Sequence, residues 1–252
     1  MTTQEPSITL TGVSLELPVY GLSSRVLKKE LVRFVTGGMF AKSKNSKTVS
    51  VRALNRVDLS ISSGMRVGII GHNGSGKSTL LKVISGIYHP TGGSIEVVGK
   101  VSSVLDLMCG IDPEISGRDN AISRGMLFGH SKKEMAQYME ELTEMTGLGD
   151  FMEMPVKTYS AGMMVRLAFA VSVMFKPEIF VIDEVFGAGD KDFAEKSRTK
   201  ILSLIKQSKI FILASHNEEL LKDHCTHLLW LDKGNIRFFG PCQEGLDFYH
   251  YN

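Results

Sequence analysis

The stretch Gly71-His72-Asn73-Gly74-Ser75-Gly76-Lys77-Ser78 decides how this chain is read, because it satisfies G-x-x-x-x-G-K-[ST] in full. A short apolar run, Met65 to Ile70, precedes it, and a helix-like segment, Ser78 to Ser85, follows. Strand before and helix after is the setting in which such a loop wraps phosphate groups. The glycines let backbone N–H groups turn inward, and the helix N-terminus adds its dipole. Lys77 then reaches the β and γ phosphates, and Ser78 ligates Mg²⁺. A chance glycine-rich turn would lack both flanking elements, so Gly71 to Thr79 is read as a nucleotide phosphate site.

A phosphate loop alone does not separate a kinase from a GTPase or a motor. The second half of the site comes from Ile179-Phe180-Val181-Ile182-Asp183-Glu184, an apolar strand ending in two carboxylates. Asp183 is expected to hold Mg²⁺, and Glu184 stands where an attacking water must be oriented or deprotonated. Around these two motifs, strand-like and helix-like segments alternate from Val51 onward without internal repeats. Ser131 to Thr146 reads as a polar helix and Ser160 to Phe175 as a more apolar one. Glu178 to Ile182 and Ile210 to Ala214 are apolar runs of the kind that buried parallel strands show. The pattern is that of an α/β domain.

Composition excludes several alternatives. With 252 residues, 43% hydrophobic and 22% charged, the chain is an ordinary globular protein rather than a fibrous or disordered one. Its net charge of +2 is too small to attract nucleic acid by field alone. Cys109, Cys225 and Cys242 stand far apart without CxxC spacing, which argues against a disulfide framework and for a reducing compartment. The polar N-terminus carries no secretory signal, and the longest apolar stretch, Leu167 to Phe175, falls short of the ~20 residues a membrane-spanning helix needs. A cytosolic protein that meets a membrane only peripherally is expected.

Ahead of the phosphate loop, Ile8 to Leu17 alternates as a strand until Pro18 and Gly21 break it. Residues 19–50 read as a basic insertion: an amphipathic helix from Ser24 to Val35 and a polar connector from Lys42 to Thr48. That helix is expected to pack on the domain with its charges in solvent, anionic lipid being the alternative contact. His224-Cys225-Thr226-His227 offers metal-ligand types, but they are contiguous and lack a second cluster. The methionines between Met135 and Met154 are expected to fill core gaps.

Upstream of the Asp183 strand, Tyr159-Ser160-Ala161-Gly162-Met163 opens the apolar helix, and Ile210 to Ser215 leads into His216. The order of phosphate loop, small-residue helix start, acidic strand end and later histidine resembles the nucleotide-binding subunits of ABC transporters, whose signature is usually LSGGQ. Ser160 and Gly162 keep that signature, whereas Tyr159, Ala161 and Met163 depart from it. Val165 to Val171, Gly110 to Asn120 and Glu184 to Asp190 are similar to ATPases of polysaccharide exporters of the O-antigen, capsule and teichoic-acid types. The likeness covers nearly all of the chain beyond Val51.

The resemblance implies an α/β fold of ABC ATPase type: a RecA-like P-loop NTPase core, a helical subdomain over about 107–170, and a small antiparallel β-subdomain. Only residues 217–252 follow His216, so the C-terminal carbohydrate-binding domain of some O-antigen members is expected to be absent. It further implies ATP and Mg²⁺ as ligands and a homodimer closed through the ATP sites. Ser160, Ala161, Gly162 and Met163 would grip the γ-phosphate held by the other subunit, and His216 would contact that phosphate. Asp190, in Gly187-Ala188-Gly189-Asp190, would link the two sites. Asp106 stands where a glutamine normally senses Mg²⁺, and Tyr20 is the nearest aromatic for stacking on adenine. Two transmembrane permease subunits at the cytoplasmic face of a bacterial inner membrane are the implied partners, with a lipid-linked polysaccharide moving through them and no nucleic acid bound. The competing readings are a P-loop kinase, a soluble ABC-type ATPase acting on nucleic acid, and a transporter for another cargo. A kinase should lack the Ser160 helix start and His216, while the interval from Lys77 to Asp183 leaves no room for a long coiled-coil insertion.

Overall fold

The computed structural model describes residues 4–19, 40–42, 49–105, 107–183 and 191–251. Tyr20, Asp106, Glu184 and Asp190 lie outside the described residues, as does the basic helix expected over 24–35. In chain order the elements are β1 (Ser7–Val19), β2 (Phe40–Lys42), β3 (Val49–Ser62), β4 (Arg66–Ile70), α1 (Lys77–Ile84), β5 (Gly92–Val98), β6 (Val101–Val104), α2 (Gly117–Leu127) and α3 (Lys132–Thr146). They continue with α4 (Ala161–Val173), β7 (Ile179–Asp183), α5 (Lys191–Gln207), β8 (Ile210–Ala214), α6 (Glu218–His224), β9 (His227–Asp232), β10 (Asn235–Pro241) and α7 (Cys242–Tyr251). They form two compact units, Met1–Gly99 with Lys209–Asn252, and Lys100–Ser208.

The first unit contains a small antiparallel sheet in the order β2-β3-β1-β5. Strand alternation builds it: Ile8, Leu10, Val13 and Leu15 of β1 stand opposite Ile61, Leu59, Val57 and Leu54 of β3, and all eight are buried. Register shifts between Leu10 and Leu15 keep these aliphatics on one face, and at the bulge the Gly12 N–H donates to Asp58 Oδ1 at 2.7 Å. Two elements differ from the sequence reading. β1 runs through Pro18 to Val19, because beyond Ser14 it has lost β5 as a neighbour, and an edge tolerates a residue without N–H. Phe40–Lys42, inside the expected 19–50 insertion and reaching the first residue of its connector, pairs with Val51, Ser50 and Val49 as β2.

The same unit holds β10, β9, β4 and β8 side by side, with β8, β4 and β9 parallel and β10 antiparallel to β9. All of β8 and the last four residues of β4 are buried, which is why they read as runs without a polar side chain. α6 lies so close on β4 that a Cβ at Gly68 would stand 2.8 Å from Leu221 Cδ2.

The second unit pairs β6 with β7 in parallel, Val101 with Ile179 through Val104 with Ile182. Around the helices α2, α3 and α4 its core collects Met135, Met139, Leu142, Met152, Leu167, Val171 and Phe175. Ser131 and Glu134 form a capping box at the start of α3, and Gly147 ends it in the left-handed conformation. Two polar side chains of α2 are nearly fully buried. Asn120 accepts from the Asp112 N–H at 2.8 Å and donates to the carbonyls of Asp112, Ile115 and Ser116 at 2.8, 3.3 and 3.0 Å. Arg124 donates to the Leu107 carbonyl and to Ser172 Oγ. Together they pin the irregular segment between β6 and α2 from within. Asn120→Ala removes the Asn120 half of this clamp, donor and acceptor alike, and orphans buried backbone groups, so it should cost about 2–4 kcal/mol. Urea unfolding of the variant checks this, and a loss under about 1 kcal/mol would assign the clamp no weight.

Candidate functional site

Parallel pairing assembles the site. Ile69 of β4 stands beside Ala214 of β8, so the chain leaving β4 into Gly71 and the chain leaving β8 into Ser215 and His216 emerge at the same end of the sheet. Ligands of open α/β sheets bind at such carboxyl ends. Between β4 and α1 the loop is shaped by three glycines in the left-handed region of φ, Gly71 at 151°, Gly74 at 80° and Gly76 at 107°. A Cβ at Gly71 would lie 2.1 Å from the Leu231 carbonyl oxygen, and one at Gly76 would lie 2.6 Å from that of Ala53. The loop is also tied to its surroundings through the Gly234 N–H, which donates to the Ser75 carbonyl at 2.8 Å.

This cradle suits an anion. α1 has Gly76 as its N-cap and no side chain capping it, so its first N–H groups are open to an external acceptor. Ser75 Oγ is buried and has no hydrogen-bond partner among the described residues. The Lys77 side chain curls back over the loop: its ammonium donates to the carbonyls of Gly71 at 2.7 Å and His72 at 3.3 Å, and it stands 3.2 Å from His216 Nε2. Nε2 accepts from the ammonium in the tautomer protonated on Nδ1 and donates to Asn73 Oδ1 in the tautomer protonated on Nε2, so either form finds a partner here. His216 Nε2 also lies 3.2 Å from the Asn73 side-chain amide. Lys77, His216 and Asn73 thus meet over one loop, while His72, Asn73, Gly74 and Ser78 are exposed and Thr79 half-exposed.

Of the remaining sequence-expected residues, Asp183 ends β7, and Ser160, Ala161 and Gly162 are exposed at the start of α4. Ser160 is the N-cap of α4, its Oγ accepting from the Met163 N–H at 3.2 Å. Tyr159, one of the departures from LSGGQ, has an architectural reason. It is 7% exposed, and its hydroxyl donates to the Phe151 carbonyl at 2.5 Å. Burial first, and Glu153 second, push its phenol above the ordinary range, so it remains a donor. The ring fits because position 117 is glycine: a Cβ there would stand 2.1 Å from the Tyr159 hydroxyl.

In His224-Cys225-Thr226-His227, Cys225 is buried and its thiol is pushed up to about 12, chiefly by desolvation, which makes it a reluctant thiolate ligand. His227 Nδ1 lies 2.8 Å from Thr226 Oγ1. Asn73 and Asn120 carry roles that the sequence reading gave only to the motifs containing them, and Arg124 lies in no motif it singled out.

The family described as ABC transporter matches residues 54–187. The O-antigen export system ATP-binding protein RfbE of Yersinia enterocolitica is 41% identical over 230 residues, 91% of this chain and 96% of that protein. The teichoic acids export ATP-binding protein TagH of Shouchella clausii is 34% identical over 95% of this chain and 64% of its own length. Among solved structures, the dimeric post-hydrolysis state of the ATP-binding cassette MJ0796 bound to ADP and Pi superposes with a TM-score of 0.65 at 19% identity, covering 93% of this chain and 98% of that one. The phosphate loop and the sheet that carries it are those of an ATP-binding cassette, and the protein is an ATPase of that class. The chain belongs to the ABC transporter family, in the branch that holds the ATP-binding proteins of O-antigen and teichoic-acid export systems.

Proposed function

We propose that this chain is the ATP-hydrolysing subunit of an exporter that moves a lipid-linked polysaccharide of O-antigen or capsule type across the bacterial cytoplasmic membrane. The ATP-hydrolysing part of the reading rests on the meeting of Lys77, His216 and Asn73 over an uncapped helix N-terminus, and the cargo on the likeness to the O-antigen export ATP-binding protein. Gly71 to Thr79 would bind the ATP phosphates through backbone N–H groups, with Lys77 on the β and γ oxygens. Ser78 and Asp183, both hard oxygen donors, would hold Mg²⁺, whose charge offsets that of the phosphates. Glu184 would accept a proton from the attacking water, and His216 would donate to the γ-phosphate as its charge grows. Two copies would close on two ATP molecules, Ser160 to Met163 of one facing the loop of the other, with Asp190 between the sites. Tyr20 would stack on adenine, and Asp106 would complete the metal side. Exposure of Ser160, Ala161 and Gly162 supports the two-copy arrangement.

The subunit would sit peripherally at the cytoplasmic face, under two transmembrane permease subunits. No described helix is long and apolar enough to cross a membrane. The second unit offers an apolar patch for such a partner: Met126, Leu127 and Phe128 at the end of α2 are 53%, 73% and 40% exposed, and Met108 is 45% exposed. A Cβ at Gly110 would lie 3.1 Å from Leu127 Cδ1, so the patch spans both segments. Affinity purification of the tagged chain from detergent-solubilised native membranes should recover a multi-span protein and glycan lipid. Leu127→Glu should release that protein while leaving the basal ATPase rate of the isolated chain unchanged. Recovery with nucleic acid alone, or unchanged permease binding by the variant, would overturn the export reading or the docking face respectively.

A further inference from the structure

The far end of α7 touches both walls of the phosphate site. The Tyr249 ring stands 6.3 Å from that of His72, on the exposed rim of the phosphate loop beside Asn73. One residue later, His250 Nε2 meets Glu218 Oε2 at 3.1 Å. Glu218 opens α6, and Asn217, which caps it, directly follows His216. The two contacts therefore grip the loop that carries Asn73 and the turn that carries His216, whose side chains lie 3.2 Å apart.

α7 is seated firmly enough to act as a brace. A Cβ at Gly245 would stand 2.7 Å from Leu228 Cβ, so the helix lies directly on β9. Trp230, the single tryptophan of the chain, meets Tyr249 edge-on at 5.4 Å and Phe248 at 5.8 Å. Trp230 is also the register partner of Ile70, the residue that leads into Gly71. Aromatic pairs of this kind add directional preference to burial.

We propose that Tyr249 and His250 are positioning residues for ATP hydrolysis, tying the rim of the phosphate loop to the His216 turn and so holding His216 at bonding distance from Asn73 and Lys77. This rests on the reading of the site as ATP-hydrolysing. The β-phosphate would be held by the glycine cradle, the α1 N-terminus and Lys77, whereas the γ-phosphate would also need His216. Loss of the brace should therefore slow turnover and spare ADP binding.

The test uses the purified full chain with Mg²⁺. Tyr249→Ala should lower kcat about tenfold, because small misplacements of a group at the reacting phosphate are costly, while the Kd for ADP stays within about twofold. Tyr249→Phe should restore the rate, since the ring rather than the hydroxyl meets His72. His250→Ala, at an exposed helix end, reads the other half of the brace without touching the core, and should also lower kcat. Adding Tyr249→Ala to His216→Ala should cause no further loss, because both act through one group. Additive losses, an equal weakening of ADP binding, or wild-type turnover in both single variants would overturn the brace while leaving the ATPase reading intact. A wild-type chain that binds no ATP would bring down both.

Discussion

Lys77→Met is expected to fold normally and to lose ATP affinity by about two orders of magnitude or more. Lys77 as a residue is 9% exposed and its ammonium is held by the Gly71 and His72 carbonyls, so the folded chain keeps this cation at the loop without nucleotide. Removing that cation frees two carbonyl oxygens but also relieves the cost of burying charge, and methionine retains the packed stem. Stability without nucleotide should change by no more than about 1 kcal/mol. With ATP the balance reverses, because a charge-assisted contact to phosphate is worth about 1.5–3 kcal/mol, and more where water is excluded. Thermal unfolding separates the two effects. Wild-type protein at a hundredfold excess of ATP over its Kd should gain about 2.7 kcal/mol, and the variant should show no such gain. A variant that keeps the full ATP-induced shift would remove Lys77 from the phosphates.

Glu184→Gln should have the second large effect, a loss of turnover of about 10²–10⁴ with ATP binding preserved. Glutamine retains shape and hydrogen bonding but accepts no proton from water, so the chain should bind ATP and stop there. If two copies close on two nucleotides, the stalled state should accumulate as a dimer. Gel filtration with ATP and Mg²⁺ reads this directly, wild type eluting largely as monomer once its ATP is spent. A variant that stays monomeric while saturated with ATP would refute the arrangement in which Ser160 to Met163 serves the other copy.

The phosphate loop was legible in the sequence because each of its residues answers a local demand: φ beyond the reach of side chains at Gly71, Gly74 and Gly76, and an open helix start at Lys77. β8 was legible for a different reason. Its five apolar residues are buried on both faces, so no other pattern competed, and His216 followed from its end. What escaped were features set by distant neighbours. The strand through Pro18 depends on where β5 stops, and β2 exists because Val49 to Val51 offers an edge. Asn120 and Arg124 look like surface residues of a polar helix; only the carbonyls of 107–116 turning inward bury them. Similarly, nothing local marks Tyr249 as a neighbour of His72, more than 170 positions earlier in the chain.

The fit between Tyr159 and Gly117 restricts the order in which such a sequence can change over time. A chain with leucine at 159 is free to carry a side chain at 117, but one with tyrosine there is not, since the hydroxyl fills the place of the missing Cβ. A lineage moving from leucine to tyrosine must first acquire the glycine, and one returning must give up the tyrosine first. Sequences of the branch should therefore show three of the four pairings of these two positions and lack the fourth, tyrosine at 159 with a side chain at 117.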